Sequence, residues 1–167
     1  MSAVLPHYKQ GPINKQVSAL VIGGMIVAPT TAGTNPSADL SVAPCSAANT
    51  RYYLGVAGKD ANVIAVQTGA ANTYGQPAID ISVLDDYTAV YYGGVDIWVW
   101  YQGAVAEGDL LIISATTAGT VITNGAGTDP TKIVGKCTHP GGVSAGMLVA
   151  NTLIGGSTYF LGRARIF

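Results

Sequence analysis

At 167 residues the chain fits one domain, or one domain with an arm, and is long enough to bury roughly two-thirds of its unfolded surface. Hydrophobic residues make up 49% of it and charged residues 10%, where an ordinary soluble domain carries roughly 25% charged. The net charge of -1 excludes a phosphate-binding field and leaves little self-repulsion to hold copies apart.

So little charge points either to a membrane or to a surface covered by partner subunits, because charge is depleted at the cores of interfaces. The longest apolar stretch, Val17 to Pro29, is far short of the roughly 18 to 20 residues of a membrane span. It reads as a buried strand. No membrane association is expected, and MSAVLPHYKQGP at the start, interrupted by Pro6 and Pro12, carries no apolar core of export-signal type.

Taken in order, residues 1 to 16 combine Leu5, Pro6, His7, Tyr8, Lys9, Pro12 and Lys15 without alternation, which predicts an extended arm ahead of a single β domain over 17 to 167. Strands are predicted at Ser18 to Ala28, Tyr53 to Ala57, Val63 to Gln67, Ala78 to Leu84, Tyr87 to Tyr92, Gly94 to Gln102, Leu110 to Ala115, Val121 to Thr123, Ile133 to Cys137, Met147 to Ala150 and Tyr159 to Ile166. Val, Ile, Thr and Tyr fill these runs, and Gly, Asn, Asp and Pro separate them. Loops are expected at Thr30 to Asp39, Ala70 to Pro77 and Asn124 to Pro130. No stretch carries the periodicity and caps of a helix. The fold class is therefore all-β, a compact barrel or sandwich of about 8 to 11 short strands.

The clearest strand is Gly94 to Gln102. Val95, Ile97, Val99 and Tyr101 alternate there with Asp96, Trp98, Trp100 and Gln102, so the first set faces the core. Trp98 and Trp100 are then an interface or ligand-stacking platform, or a second buried face of a sandwich. Arg163, Arg165 and Phe167 share one side of the last strand, as an edge guarded by charge or a strand added to a neighbour. GAVAEGDLLI from Gly103 and GGVSAGMLVA from Gly141 share the spacing G-x-V-x-x-G-x-L. This reads as a repeated turn in which the second Gly supplies a positive φ.

Catalytic chemistry is thinly supplied. Only His7 and His139 are available as bases, one in the arm and one in a turn before Pro140, and both read as solvated or capping residues. A hydrolase would have to use His139 with Asp129 or Ser144. Asp85 and Asp86 are adjacent and form a turn rather than an acid–base pair, while Glu107 and Asp109 flank Gly108 in a turn where Asp satisfies backbone N–H groups. Cys45 and Cys137 have no metal-site spacing, although Cys137 precedes His139 by two positions; they read as buried thiols in a reducing compartment. No cofactor or metal is expected, and no small-molecule substrate. The basic residues are scattered, without the dense patch that nucleic acid requires.

The order VIGGMIVAP from Val21, YLGVAGKDA from Tyr53, YYGGVDIWV from Tyr91, AVAEGDLLI from Ala104, GTVIT from Gly119 and KIVGKCT from Lys132 resembles the small capsid decoration, or cement, proteins of tailed bacteriophages. The resemblance spans about two-thirds of the chain, and Gln67 to Asp80 stand as an insertion in it. It implies a non-enzymatic β-barrel that binds the capsid exterior of a virion assembled in the host cytoplasm. It also implies the major capsid protein as partner, a homotrimer, and an N-terminal arm reaching across capsid subunits. Together these readings make Leu5, Pro6, Tyr8, Pro12, Trp98, Trp100, Arg163, Arg165 and Phe167 the candidate interface residues. A carbohydrate- or receptor-binding module of a phage tail or fibre is the alternative, resting on Trp98, Trp100 and the many Tyr.

Overall fold

Short β-branched and aromatic runs broken by Gly, Asn and Pro fold as strands throughout the described residues, which in this computed structural model are 12–30, 41–60, 87–94, 96–125, 129–151, 154 and 157–167. The strands are β1 (Ile13–Gln16), β2 (Ile26–Pro29), β3 (Val42–Pro44), β4 (Gly55–Ala57), β5 (Tyr87–Tyr91), β6 (Asp96–Tyr101), β7 (Leu110–Ile113), β8 (Val121–Thr123), β9 (Ile133–Cys137), β10 (Val149–Ala150) and β11 (Thr158–Ile166). Short 3-10 turns cover Ala47–Tyr52, Pro130–Lys132 and Ala145–Met147. The fold is all-β.

The strands close into two rings. In the first sheet the order is β1-β5-β4-β2-β3, and a parallel bridge from Val17 to Val42 joins its two ends. In the second the order is β10-β11-β6-β8-β7-β9, with β9 also paired to β11, so five of its strands form a ring and β10 hangs from β11. Each ring closes through a single parallel pair, Val17↔Val42 in the first and Tyr101↔Val121 in the second.

The two rings repeat one topology. In each, the first strand pairs in parallel with the third and antiparallel with the fifth, while the second pairs with the third and fourth, and the fourth with the fifth. The registers coincide over the pairs that both rings show, and the β7–β9 ladder adds a shift between Leu111 and Ile112. Val17↔Val42, Val27↔Gly55, Ala57↔Val90 and Ile13↔Val90 of the first ring match Tyr101↔Val121, Leu111↔Gly135, Cys137↔Ala164 and Ile97↔Ala164 of the second. Hydrogen bonds repeat as well: Gly24 N–H donates to Ala57 O at 2.7 Å and Gly108 N–H to Cys137 O at 2.9 Å. Gly24 and Gly108 have φ of 90° and 91°, the left-handed region that only Gly enters without strain.

Because side chains alternate across a strand, the ring interiors are filled from equivalent positions. Val17, Val21, Val27, Val42, Ala57 and Val90 lie in one buried cluster, and Tyr101, Val105, Leu111, Val121, Cys137 and Ala164 in the other. Ile26, Ala28, Cys45 and Val56 point out of the first ring and are buried with the second cluster. The rings therefore share a seam. There Gly119 N–H donates to Cys45 O at 2.8 Å and Ile26 N–H to Gly119 O at 2.9 Å.

Several expectations change. The strand expected over Ser18 to Ala28 is only β2 at its end, because Gly23 and Gly24 turn the chain; Val21, Ile22 and Met25 are nonetheless buried, since this loop caps the first ring. Residues 13–16, expected within the arm, form β1 and pair with β5. β3 was not anticipated, and the strand expected at Met147 to Ala150 is shortened to β10 by the Ala145–Met147 turn. Gly146 lacks the positive φ expected of the second Gly in its motif; instead Val105 and Val143 of the two motifs pair with each other. The strands expected at Val63 to Gln67 and Ala78 to Leu84, the loops at Thr30 to Asp39 and Ala70 to Pro77, and the Asp85–Asp86 turn lie wholly or mostly outside the described residues.

Gly55 and Gly135 occupy equivalent positions where a Cβ would run into the carbonyl of Tyr91 or of Arg165, themselves equivalent. Glycine in a strand commonly marks such a backbone approach. Gly55→Ala and Gly135→Ala are each expected to lower unfolding free energy by about 1–3 kcal/mol in chemical denaturation. Gly103→Ala, where a Cβ meets open space, should stay within about 0.5 kcal/mol.

Candidate interaction surface

Alternation on β6 turns Val99 and Tyr101 into the second ring, with Ile97 half-buried beside them, and sends Asp96, Trp98 and Trp100 outward. On β11 it sends Leu161, Arg163 and Arg165 outward. The antiparallel register sets these side by side as three rungs, Trp100 with Leu161, Trp98 with Arg163, and Asp96 with Arg165. The face runs from apolar to ionic along its length.

Its apolar rung belongs to the seam. Trp100 Nε1 donates to Gly23 O at 2.7 Å, and Trp100 with Leu161 covers Gly24 so closely that a Cβ there would touch both. Trp100 is thus a half-buried structural residue rather than half of an open stacking platform. Trp98, one rung on, is 51% exposed. The His139 ring meets it edge-on at 6.4 Å and also packs on Phe160 at 5.1 Å.

The ionic rung is bidentate: Arg165 Nε and Nη2 donate to the two Asp96 carboxylate oxygens at 3.2 and 3.0 Å. These bonds hold the Asp96 carboxyl below its ordinary range, against a smaller opposing effect of desolvation. Whatever this exposed pair adds to stability is present above the ordinary carboxylate range and fades as pH falls through the depressed value.

Beside Trp98 a groove of about 610 Å³ opens between the rings. Gly23, Gly24 and Gly58 line it, Trp98 and Tyr91 wall it, and Lys59, Asp60 and Asp96 bring charge to it. Asp60 is committed to the fold, since its Oδ1 accepts the Gly23 N–H at 2.7 Å.

Of the expected interface residues, Trp98, Trp100, Arg163 and Arg165 come together on this face. Phe167 follows at the end of β11, 54% exposed, its carbonyl accepting the Tyr53 hydroxyl at 2.6 Å. Pro12 is exposed just before β1, and Leu5, Pro6 and Tyr8 lie outside the described residues. The reading of β11 as an edge strand is corrected: it pairs with β6 on one side and with β9 and β10 on the other, so its backbone cannot take an added strand. Sequence reasoning missed the Gly23–Gly24 turn, Tyr91 and Lys59. The repeat of Val21-x-x-Gly24 at Val105-x-x-Gly108 was the available signal.

Of the candidate chemical groups, the Asp129, Asp109 and Glu107 carboxylates accept from nearby backbone N–H groups. Asp129 caps the Pro130–Lys132 turn by accepting from Thr131 N and Oγ1 at 2.9 and 2.7 Å, and His139 Nδ1 is buried with no hydrogen-bond partner among the described residues. Asp109 accepts the Ala106 N–H at 3.1 Å and the Thr123 hydroxyl at 3.2 Å, and Glu107 the Gly141 N–H at 2.9 Å. Cys45 and Cys137 are free and buried, and burial pushes the Cys45 thiol up to about 11. Among the described residues, no group of three or more His, Cys, Asp and Glu is placed to hold a metal, and no helix is long and apolar enough to cross a membrane. Neither a protein-family model nor a curated protein matches the sequence.

The two tryptophans give a direct check. Trp100→Ala is expected to destabilise the protein by about 3–5 kcal/mol, whereas Trp98→Ala should stay within about 1 kcal/mol, both by denaturant titration. Cys45, held as a thiol by burial, should react with a thiol reagent near neutral pH only as fast as the protein opens.

Proposed function

We propose that this protein is a non-enzymatic cement protein that binds the capsid exterior of a tailed phage virion as a self-associating, trimeric subunit and bridges copies of the major capsid protein. Trp98 carries the reading. It is a large aromatic side chain held half in water on a strand paired along its length with β11, beside Arg163, in a protein with few charges to spare. Trp and Arg are the residue types that dominate binding hot spots, and a side chain fixed in advance by its scaffold loses little entropy on docking. Nothing in this mechanism requires a cofactor, a nucleic acid or a small-molecule substrate.

The test is co-sedimentation with expanded, empty shells assembled from the major capsid protein encoded with this chain. Saturable binding at a fixed ratio to capsid subunits is expected, with Trp98→Ala weakening it about thirtyfold, which corresponds to about 2 kcal/mol for a hot-spot residue. Failure of the wild-type protein to sediment with the shells would overturn the reading. Because β1 is part of the first ring, an arm truncation should remove residues 1 to 11 only, leaving Ile13 in place.

A second reading draws on the groove beside Trp98 and Tyr91. An exposed aromatic wall with carboxylate and ammonium groups at hand suits a carbohydrate, as a tail or fibre module would need. Glycan-array binding that disappears in Trp98→Ala, without binding to shells, would favour it over the cement reading.

A further inference from the structure

The chain that runs from β5 through Gly93 and Gly94 into β6 has one occupied side and one that is partly open. Along the first side lie β4, paired with β5, and then β11, paired with β6. They meet end to end at the bend: the Tyr53 hydroxyl donates to Phe167 O at 2.6 Å, Gly94 N–H donates to Ile166 O at 2.6 Å, and a Cβ on Gly93 would run into the Phe167 carbonyl. On the opposite side β1 pairs with β5. Beside β6, that side is filled only at its far end, where Gly24 O and Val121 O accept the N–H groups of Trp100 and Gln102 at 3.3 and 2.9 Å.

Trp98 comes next along that side. Backbone groups of an antiparallel pair turn toward each other at one rung and away at the next. Arg163 O accepts the Thr138 N–H at 3.2 Å from the β9 side, so the Trp98–Arg163 rung is one that turns away. The N–H and C=O of Trp98 therefore point out of β6 on the open side, and neither has a hydrogen-bond partner among the described residues. The groove beside Trp98 follows this edge, because Asp96, Ile97 and Trp98 all line it although alternate side chains of a strand face opposite ways.

The residues ahead of β1 approach along the same side. β1 runs antiparallel to β5 with Ile13 opposite Val90, so the chain before Ile13 comes from the β6 end of β5. Carried on in that register, it sets His7 opposite Asp96 and Leu5 opposite Trp98. Ala89 O faces β4, where it accepts the Gly58 N–H at 2.7 Å. Val90 therefore faces β1, and odd-numbered residues of the arm turn their N–H groups toward β5 and β6. Pro6 and Pro12, which have no N–H, both fall on positions that turn away, where a strand tolerates proline. Ala3, Val4 and Leu5 bring an uncharged run to a groove walled by Trp98 and Tyr91.

We propose that residues 3 to 8 add to the open side of β6 in the same molecule as an antiparallel strand, the N–H and C=O of Leu5 bonding to those of Trp98. Strand addition draws its strength from main-chain hydrogen bonds and its selectivity from alternate side chains. Tethering through Pro12 favours the molecule's own arm over that of another copy, since a short tether gives a high effective concentration. Directly opposed residues share a face, so Leu5 comes to lie beside Trp98 on the outward surface. The pairing does not depend on what that surface binds.

Amide exchange of the full chain, followed residue by residue by NMR, tests it. The Trp98 N–H should exchange more slowly by about tenfold in the wild type than in Leu5→Pro, which lacks the N–H that pairs. Val4→Pro, altered at a position that turns away, should keep the protection. The Val99 N–H, one residue on and turned toward β11, should be unchanged in all three proteins and reports that the ring is folded. Equal Trp98 exchange in the wild type and Leu5→Pro overturns the inference, as does protection lost equally in both variants. Protection that fades on dilution belongs to the arm of another copy, and protection that appears only when capsid shells are added belongs to a capsid segment; either result overturns the intramolecular pairing.

Discussion

Burial of the outer side of β2 against the second ring makes one molecule of two repeats and accounts for most of the differences between them. Ile26, Val27 and Ala28 are all buried, Val27 inside its own ring and the other two in the seam. At the equivalent strand β7, only Leu111 and Ile113 are fully buried. Fully burying an aliphatic side chain of Val or Ile size is worth about 1.5–3 kcal/mol. Ile26 and Val56 together therefore supply an amount comparable to the lower end of a small domain's whole stability, about 5 kcal/mol. The first ring depends on the second to cover that side, and Gly24 must be glycine both for its φ and for the indole of Trp100 above it.

The same seam explains where the sequence was legible. β5, β6, β7, β8, β9 and β11 were readable because each has a wet side and a dry side, or a clear turn at its ends. Val17 to Pro29 misled because two different kinds of burial are concatenated in it: a loop that plugs the mouth of a ring through Val21, Ile22 and Met25, then a strand dry on both faces. Apolar character records burial and not backbone geometry, so it cannot separate them. β1 was hidden for the opposite reason. Ile13 to Gln16 is mostly exposed, being held by its ladder with β5 rather than by its side chains.

The candidate surface was half legible for a related reason. Alternation placed Trp98 and Trp100 on one outward face, and they are there. What alternation cannot say is whether an outward face meets water or another part of the same chain, and here the answer changes between adjacent rungs. The repeat also went unread, because the most similar motifs by eye, at Gly103 and Gly141, are not the structurally equivalent ones. The equivalent turns share little beyond Val21 and Val105, and Gly24 and Gly108. Backbone geometry preserves those positions, while the residues between them answer to different neighbours.

That division of labour bears on function. Positions with the same residue in both rings are set by closure: Val42 and Val121 at the parallel bridge, Gly55 and Gly135 under the close carbonyl, Gly24 and Gly108 at the turn. Positions on the outward β1–β5 and β6–β11 faces are free of that constraint, and there the rings diverge most. Asn14, Ala89 and Tyr91 of the first correspond to Trp98, Arg163 and Arg165 of the second. A fold that needed only to close would not require an exposed indole flanked by guanidinium groups on one ring and an amide and a methyl on the other. The exposed indole and the guanidinium groups are therefore concentrated on the second ring, in a chain whose few charges make each placed arginine a larger share of its surface.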